Sequence, residues 1–239
     1  MQALPETKRL FLREWTMQDL DAWAAILSDA EVMRYYPKPF DRQKVQDWIA
    51  WNLENYRTDG FGLWAVHLRA TGELLGDCGI TMQQIHGQRL PEIGFHMKKS
   101  VWGQGYATEA ARACLTWGMQ RTDFPAFYCY QKSTNLPSRR VAEKLGMTLQ
   151  EIYVDPVHTF TSVYAITRTE FLQLHKTPCC NHTAGRCLTN DAIAYRKIYF
   201  NKNSIASTYS SGFTSLPLPQ TRCSRTKEMM PIEMPSEML

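Results

Sequence analysis

The feature that most constrains this chain is residues 97–111, where a strand-like run passes into a helical pattern through a turn with two glycines. The segment reads MKKSVWGQGYATEAA. Gly103 and Gly105 have no Cβ atom, so the backbone can approach a ligand closely at these positions. The first N–H groups of the following helix have no hydrogen-bond partner inside the helix. Aligned peptide dipoles favour an anion at such a helix start. The sequence therefore predicts a turn that binds phosphate.

The helix after the turn is predicted from small and apolar residues that recur on one face. Glu109 lies in its first turn, where a negative charge is favourable. The face comprises Ala107, Ala110, Ala111, Cys114, Leu115 and Gly118.

Three other interpretations of the turn are considered. A P-loop needs Gly-Lys-Ser/Thr at its end, and here tyrosine and alanine follow the second glycine, which excludes it. A dinucleotide-binding turn fits better, with Thr108 in place of the third glycine and Asp123 about 20 residues after the first. A strand-to-helix connection without a ligand remains open on the turn alone.

Periodicity along the rest of the chain predicts the element order βααβββαβαββ. This order indicates an α/β (α+β) fold with a mixed sheet of about seven strands and helices on both faces. It lacks the repeated βαβ units of a doubly wound sheet, which argues against dinucleotide binding. Gly94, inside the strand at 90–97, is expected to mark a bulge or a place where a ligand or another backbone comes close. The loop with Glu31, Arg34, Tyr35 and Tyr36 is a candidate lining for a substrate cleft.

The chain of 239 residues divides into a predicted globular domain, residues 1–175, and a predicted disordered or appended tail, residues 176–239. The domain holds 19 Lys and Arg against 19 Asp and Glu, so the net charge of +4 lies in the tail. A neutral folded domain argues against direct nucleic-acid binding. Oligomeric state is left open between a monomer and a homodimer.

Cysteine usage and hydropathy indicate a reduced environment. Cys78, Cys114 and Cys129 fall in apolar patterns, where a thiol behaves as a small hydrophobe. The tail cluster Cys179, Cys180, His182 and Cys187 lacks the spacing of common zinc sites, so no metal is predicted. The first residues lack the pattern of a signal peptide and no run is long enough for a membrane span, so a cytoplasmic protein without membrane contact is expected.

Three segments in order resemble the successive motifs of the GCN5-related N-acetyltransferases, especially the branch that acetylates ribosomal-protein N-termini. They are EIGF at 92–95, WGQGYATEA at 102–110 and NLPSRRVAEKLG at 135–146. The resemblance covers roughly residues 8–172. It implies a co-substrate, acetyl-CoA, and an amine acceptor. Trp102 stands where the family usually has Arg or Gln, which puts one side-chain contact in doubt.

The resemblance also implies which residues bind the co-substrate. The turn would hold the pyrophosphate through backbone N–H groups, the strand before it would hydrogen-bond the pantetheine as another strand would, and Arg139 or Arg140 would meet phosphates. The implied set is Phe95, Met97, Gly103, Gln104, Gly105, Tyr106, Ala107, Thr108, Asn135, Arg139 and Arg140.

Two side chains are candidates for catalysis of amine acetylation. Glu92 would accept a proton from the amine through water, and Ser138 would hydrogen-bond the leaving sulfur; Tyr128 and Tyr130 are weaker candidates. Glu92 is equally compatible with a solvated charge near a strand end. No nucleophile elbow is present, which favours direct transfer. The acceptor is predicted to be a protein N-terminal α-amine; a small-molecule amine, or a non-catalytic acyl-CoA-binding module, stays open.

Overall fold

The computed structural model of the chain describes residues 3–154 and 160–175. The proposed tail at 176–239, with its cysteine and histidine cluster, lies outside the described residues. The strands are β1 (Leu10–Arg13), β2 (Leu63–Leu68), β3 (Leu74–Ile85), β4 (Gln88–Met97), β5 (Ala126–Lys132), β6 (Thr148–Tyr153) and β7 (Thr161–Thr167). The helices are α1 (Leu20–Leu27), α2 (Arg42–Thr58), α3 (Tyr106–Arg121), α4 (Leu136–Lys144) and α5 (Arg168–His175).

The seven strands form one mixed sheet in the order β1-β2-β3-β4-β5-β7-β6. Neighbouring strands are antiparallel except β4 and β5, which are parallel and are in register at one pair, Glu92 and Tyr128. Beyond that pair the two strands diverge, and their facing edges form no further ladder. The sheet is therefore open at its centre, between two strands that are separated in sequence by the glycine turn and α3.

Two hydrophobic clusters cover the two faces of the sheet. Successive residues of β2 alternate between them, with Trp64 and Val66 in the cluster that includes α3, and Leu63 and Ala65 in the cluster that includes α1 and α2. The first cluster also holds the free, buried thiols of Cys78, Cys114 and Cys129. The predicted mixed sheet with helices on both faces is confirmed. In the described residues no helix is both long and apolar enough to cross a membrane.

The start of α3 follows from the glycine turn. Gly105 caps the helix with φ of 82°, and Gly103 has φ of 76°, both in the left-handed region that residues with a side chain rarely adopt. At the start of α4 the side chain of Asn135 accepts a hydrogen bond from the backbone N–H of Ser138, as the sequence predicts.

Two details differ from the sequence prediction. The bulge expected at Gly94 is absent from the β3–β4 ladder, which pairs residue for residue from Gly76–Met97 to Ile85–Gln88. The irregularity lies instead on the other edge of β4, where β5 departs. An additional helix, α5, follows β7 and buries Phe171; its short length and single buried residue leave little periodic signal in the sequence.

Candidate active site

A cavity of about 490 Å³ lies where β4 and β5 diverge. The strands, the glycine turn, α4 and the loop between α1 and α2 all contribute to its wall. The predicted site residues that line it are Glu92, Phe95, Met97, Gly103, Gly105, Tyr106, Ala107, Thr108, Asn135, Ser138 and Arg140. The cleft loop is present as well, through Glu31, Arg34, Tyr35 and Tyr36. Residues from five separate stretches of sequence thus share one concave site.

The glycine turn offers an open backbone surface to the cavity. A Cβ added at Gly103 would meet no heavy atom within 4 Å, and one added at Gly105 would meet only the Nη2 atom of Arg9, at 3.6 Å. The N–H groups of the first turn of α3 have no partner within the helix. An unobstructed backbone beside a helix N-terminus fits a phosphate group.

Arg9 supports this turn from β1's N-terminal side, a role that the sequence analysis did not foresee. Its Nη1 donates to the carbonyl oxygen of Gln104 at 3.1 Å, its Nε donates to Glu109 at 2.6 Å, and its guanidinium lies 4.3 Å from the centre of the Tyr106 ring. Thr7 Oγ1 donates to the other oxygen of Glu109 at 2.6 Å. The turn is therefore held by a positive group next to its expected anion.

The side chain of Gln104 does not line the cavity, since its Nε2 donates to the carbonyl of Ser100 at 3.3 Å. Trp102, which replaces the family's usual polar residue, donates its indole N–H to the carbonyl of Met97 at 2.8 Å. It also lies beneath the guanidinium of Arg34, which is 5.3 Å from its ring centre. The tryptophan thus ties the end of β4 to the cleft loop.

The two arginines of α4 face different ways. Arg139 donates from Nε to the hydroxyl of Tyr164 at 3.0 Å and from Nη1 to the carbonyl of Ser133 at 3.1 Å, and it is absent from the cavity wall. Arg140 lines the cavity together with Lys144, one helical turn further on. Within the described residues, no carboxylate lies within ion-pair distance of Arg140 or Lys144. A cationic rim is available on this side of the cavity.

Glu92 occupies the middle of β4 and faces the cavity, so the interpretation as a solvated strand-end charge is wrong. Burial raises the pKa of Glu92 to about 7, against smaller opposing effects from hydrogen bonds and from His96. Thr81 Oγ1 donates to its carboxylate at 3.4 Å. A carboxylate that takes up a proton near neutral pH is suited to general-base work.

Ser138 lies at the N-terminal end of α4 and its Oγ is 3.4 Å from Gln131 Oε1. Gln131 is anchored in turn by donating from Nε2 to Ser162 Oγ at 3.0 Å. Ser138 and Glu92 both line the same cavity, Ser138 from α4 and Glu92 from β4.

A hydrogen-bonded chain of Asp77, His96 and Tyr36 was missed by the sequence analysis. His96 Nδ1 lies 2.9 Å from Asp77 Oδ1, and His96 Nε2 lies 2.7 Å from the hydroxyl of Tyr36. Asp77 is completely buried, and the three residues come from β3, β4 and the α1–α2 loop. No spacing in the sequence links positions 36, 77 and 96, because strand register and loop folding bring them together.

The fold and the cavity define a class of enzyme. A mixed seven-stranded sheet, open between two parallel strands beside a glycine-capped helix, is the fold of the coenzyme A-dependent acetyltransferases.

Comparison with known proteins agrees with this class. A family model described as an acetyltransferase (GNAT) domain matches residues 9–148. The uncharacterized protein YkkB of Bacillus subtilis (strain 168) is 40% identical over 144 residues, which are 59% of this chain and 83% of YkkB. The solved structure of an acetyltransferase (GNAT family) from Bacillus anthracis has a TM-score of 0.59 at 25% identity and covers 69% of this chain and 98% of its own. RimL, a ribosomal L7/L12 α-N-protein acetyltransferase solved in complex with coenzyme A, shares the fold with a TM-score of 0.57 at 17% identity, over 70% of this chain and 98% of its own.

The chain therefore belongs to the GCN5-related N-acetyltransferase (GNAT) family and is an acetyl-CoA-dependent acetyltransferase. The predicted family resemblance is confirmed. The roles of individual site residues remain predictions.

Proposed function

We propose that this enzyme moves the acetyl group of acetyl-CoA directly onto a free protein N-terminal α-amine, with Glu92 as general base. The observation that carries the proposal is the position of Glu92 in the cavity with a pKa raised to about 7. Acetyl-CoA, when bound, supplies the acetyl thioester. The α-ammonium first gives one proton to Glu92, which releases it to solvent. The neutral amine nitrogen then bonds to the carbonyl carbon, the carbon–sulfur bond breaks, and the second proton passes to Glu92 while the thiolate of CoA leaves.

The strength of this base favours an α-amine over a lysine. An α-amine has a pKa of about 7.7 to 8.0 and is roughly one-tenth neutral at pH 7, whereas a lysine, with a pKa of about 10.4, is neutral about once in 2,500 molecules. Loss of a proton from the α-ammonium to a carboxylate of pKa about 7 is nearly balanced in energy. The same transfer from a lysine ammonium is unfavourable by about 4 to 5 kcal/mol, because the lysine pKa of about 10.4 exceeds the pKa of Glu92, about 7, by more than three.

The walls of the cavity support the placement of acetyl-CoA. Backbone N–H groups of Gly103 to Thr108 would receive the pyrophosphate. The edge of β4 that β5 leaves, at Phe95 and Met97, would bond the pantetheine as an added strand, beside the indole N–H of Trp102 that the Met97 carbonyl already accepts. Arg140 and Lys144, rather than Arg139, would meet phosphates of the nucleotide end. Ser138, on the α4 wall, would donate its hydroxyl to the departing sulfur.

A matched pair of peptides tests the acceptor. One has a free N-terminal serine or alanine; the other has the same sequence with a blocked N-terminus and one internal lysine. We expect faster release of CoA thiol with the first peptide, and mass spectrometry should locate the acetyl group on its α-nitrogen. Faster acetylation of the blocked peptide, or of a polyamine such as spermidine, would contradict the N-terminal assignment. Binding of acetyl-CoA without thiol release for any amine would contradict catalysis itself.

A further inference from the structure

The chain of Asp77, His96 and Tyr36 runs from the sheet interior to the cavity wall. Asp77 is fully buried, His96 retains 11% of its side-chain exposure, and Tyr36 lines the cavity. The rings of Trp48 and Tyr36 lie against the imidazole, with centroid distances of 5.4 and 5.6 Å. Ring packing on two sides and hydrogen bonds on both nitrogens fix the position of this imidazole.

The hydrogen bonds of Asp77 assign the tautomer of His96. Asp77 Oδ1 accepts the backbone N–H of His96 at 2.8 Å, and Oδ2 accepts the indole N–H of Trp48 at 3.3 Å. Both donors are groups that cannot accept, so the buried carboxylate is arranged as an acceptor on both oxygens. His96 Nδ1, 2.9 Å from the same Oδ1, therefore carries the proton, and in the neutral ring Nε2 holds a lone pair.

The tautomer of His96 fixes the direction of the last hydrogen bond. With a lone pair on Nε2, the hydroxyl of Tyr36 donates to His96 across the 2.7 Å contact. A phenol has a single proton, so the oxygen of Tyr36 has only lone pairs left for the cavity. Burial raises the pKa of the Tyr36 phenol well above its usual range, with a further contribution from the charge on Glu92, so the hydroxyl keeps this proton at neutral pH.

Glu92 lines the same cavity from β4. Residues 92, 94 and 96 lie on the same face of β4, because side chains alternate between the two faces of a strand. Gly94 therefore separates Glu92 from His96 on that face. A Cβ at Gly94 would already lie 3.3 Å from Leu63 Cδ2 and 3.9 Å from Glu92 Oε2. Leu63 and Glu92 therefore border the space over Gly94, where a side chain would be crowded.

We propose that Tyr36, held by His96 and Asp77 as a hydrogen-bond acceptor, binds an N–H of the acceptor amine in the cavity that Glu92 also lines. Tyr36 is the residue that touches the substrate, and His96 and Asp77 are positioning residues that act through it. The device orients the amine: one N–H is accepted by Tyr36, a second is directed to Glu92, and the nitrogen lone pair is left for the thioester. This inference rests on the proposed amine acetylation at this cavity.

The first test measures kinetics on the amine that the wild-type enzyme turns over fastest among the N-terminal serine peptide, the blocked lysine peptide and spermidine. Tyr36→Phe should lower kcat/KM for the amine about ten- to a hundredfold, because the amine nitrogen gains positive charge as it bonds to the carbonyl carbon and its hydrogen bond to Tyr36 is then one to a charged group. It should leave KM for acetyl-CoA unchanged. Tyr153→Phe removes a tyrosine hydroxyl outside the cavity and should leave both values unchanged.

A double-mutant cycle separates the relay from a structural role. His96→Gln should lower kcat/KM for the amine, and adding Tyr36→Phe to it should lower the value little further, because both changes interrupt one interaction. His86→Gln, at the exposed turn between β3 and β4, is the matched histidine control and should leave kcat/KM unchanged. Independent effects that multiply, or an unchanged kcat/KM in Tyr36→Phe, would overturn the proposal.

The second test needs no acceptor and no active enzyme. Nuclear magnetic resonance of protein labelled with ¹⁵N-histidine should report a protonated Nδ1 and an unprotonated Nε2 for His96, with its signals identified by their loss in His96→Gln or their shift in Tyr36→Phe. A ring protonated on Nε2 would overturn the assigned direction of the chain. If no amine is acetylated by the wild-type enzyme but the expected tautomer is found, the proposed function fails while the arrangement of Tyr36 stands. If the wild-type enzyme acetylates an amine but His96 is protonated on Nε2, only the role of Tyr36 is refuted.

Discussion

Replacing Glu92 with glutamine should stabilise the folded protein while removing its base. Burial raises the pKa of Glu92 from about 4.5 to about 7, so the folded state holds a proton on this carboxyl that the unfolded state releases between those pH values. The unfolded state therefore binds fewer protons in this range, and the free energy of unfolding falls as pH rises from about 4.5 to about 7.

The expected magnitude follows from the two pKa values. The difference between about 7 and 4.5 is about 2.5, which at about 1.4 kcal/mol for each pKa unit gives about 3 kcal/mol. Glutamine is nearly isosteric with the protonated acid and has no charge to bury. Glu92→Gln should therefore raise the free energy of unfolding by about 1 kcal/mol at pH 5 and by about 3 kcal/mol at pH 8, relative to the wild type.

Urea unfolding followed by tryptophan fluorescence at pH 5 and pH 8 measures this effect. Glu109→Gln is a control of opposite sign, because hydrogen bonds from Thr7 and Arg9 outweigh burial and lower the pKa of Glu109. That carboxylate stabilises the fold above its unfolded-state pKa, so Glu109→Gln should lower the free energy of unfolding at pH 8. A Glu92→Gln difference that is the same at both pH values would refute the argument that burial perturbs Glu92.

Three further substitutions test the packing and the binding turn. Arg9→Met should weaken acetyl-CoA binding roughly fivefold in calorimetry, since an exposed ion pair and the support of the turn are lost, whereas Arg69→Met, beside it on the sheet edge, should not. Gly105→Val should leave a folded protein that no longer binds CoA, because a β-branched residue disfavours φ of 82° and occupies the anion site; undiminished affinity would mean the turn is only a connection. Gly118→Ala should lower the free energy of unfolding by about 1 to 3 kcal/mol in urea, because its Cβ would come within 2.6 Å of Phe127 and 2.8 Å of Ile80; an unchanged value would show that these side chains can move aside.

The amino-acid sequence determined the helices and strands and the glycine turn before α3. Apolar residues recur every two residues in a strand and every 3.6 residues in a helix, according to which face of the element is buried. This pattern can be recognised within one stretch of sequence. The two left-handed positions in the turn, Gly103 and Gly105, are likewise required by local backbone geometry. These features were predicted because each is decided by neighbours along the chain.

The tertiary structure alone decided how these elements form a site. Of the two alternatives predicted for Gly94, a bulge or a close approach, the bulge is absent from the β3–β4 ladder, and β5 departs from the other edge of β4. Glu92 is partly buried because α4 and the α1–α2 loop enclose the gap beside β4, so its raised pKa could not be predicted from its sequence neighbours Pro91 and Ile93. Tyr36 and His96 are 60 residues apart in sequence, and they form one hydrogen bond because the loop folds over β4. Such contacts depend on strand order and register. The burial of apolar surface over the whole domain sets both, so the sequence around each contacting residue does not predict its partner.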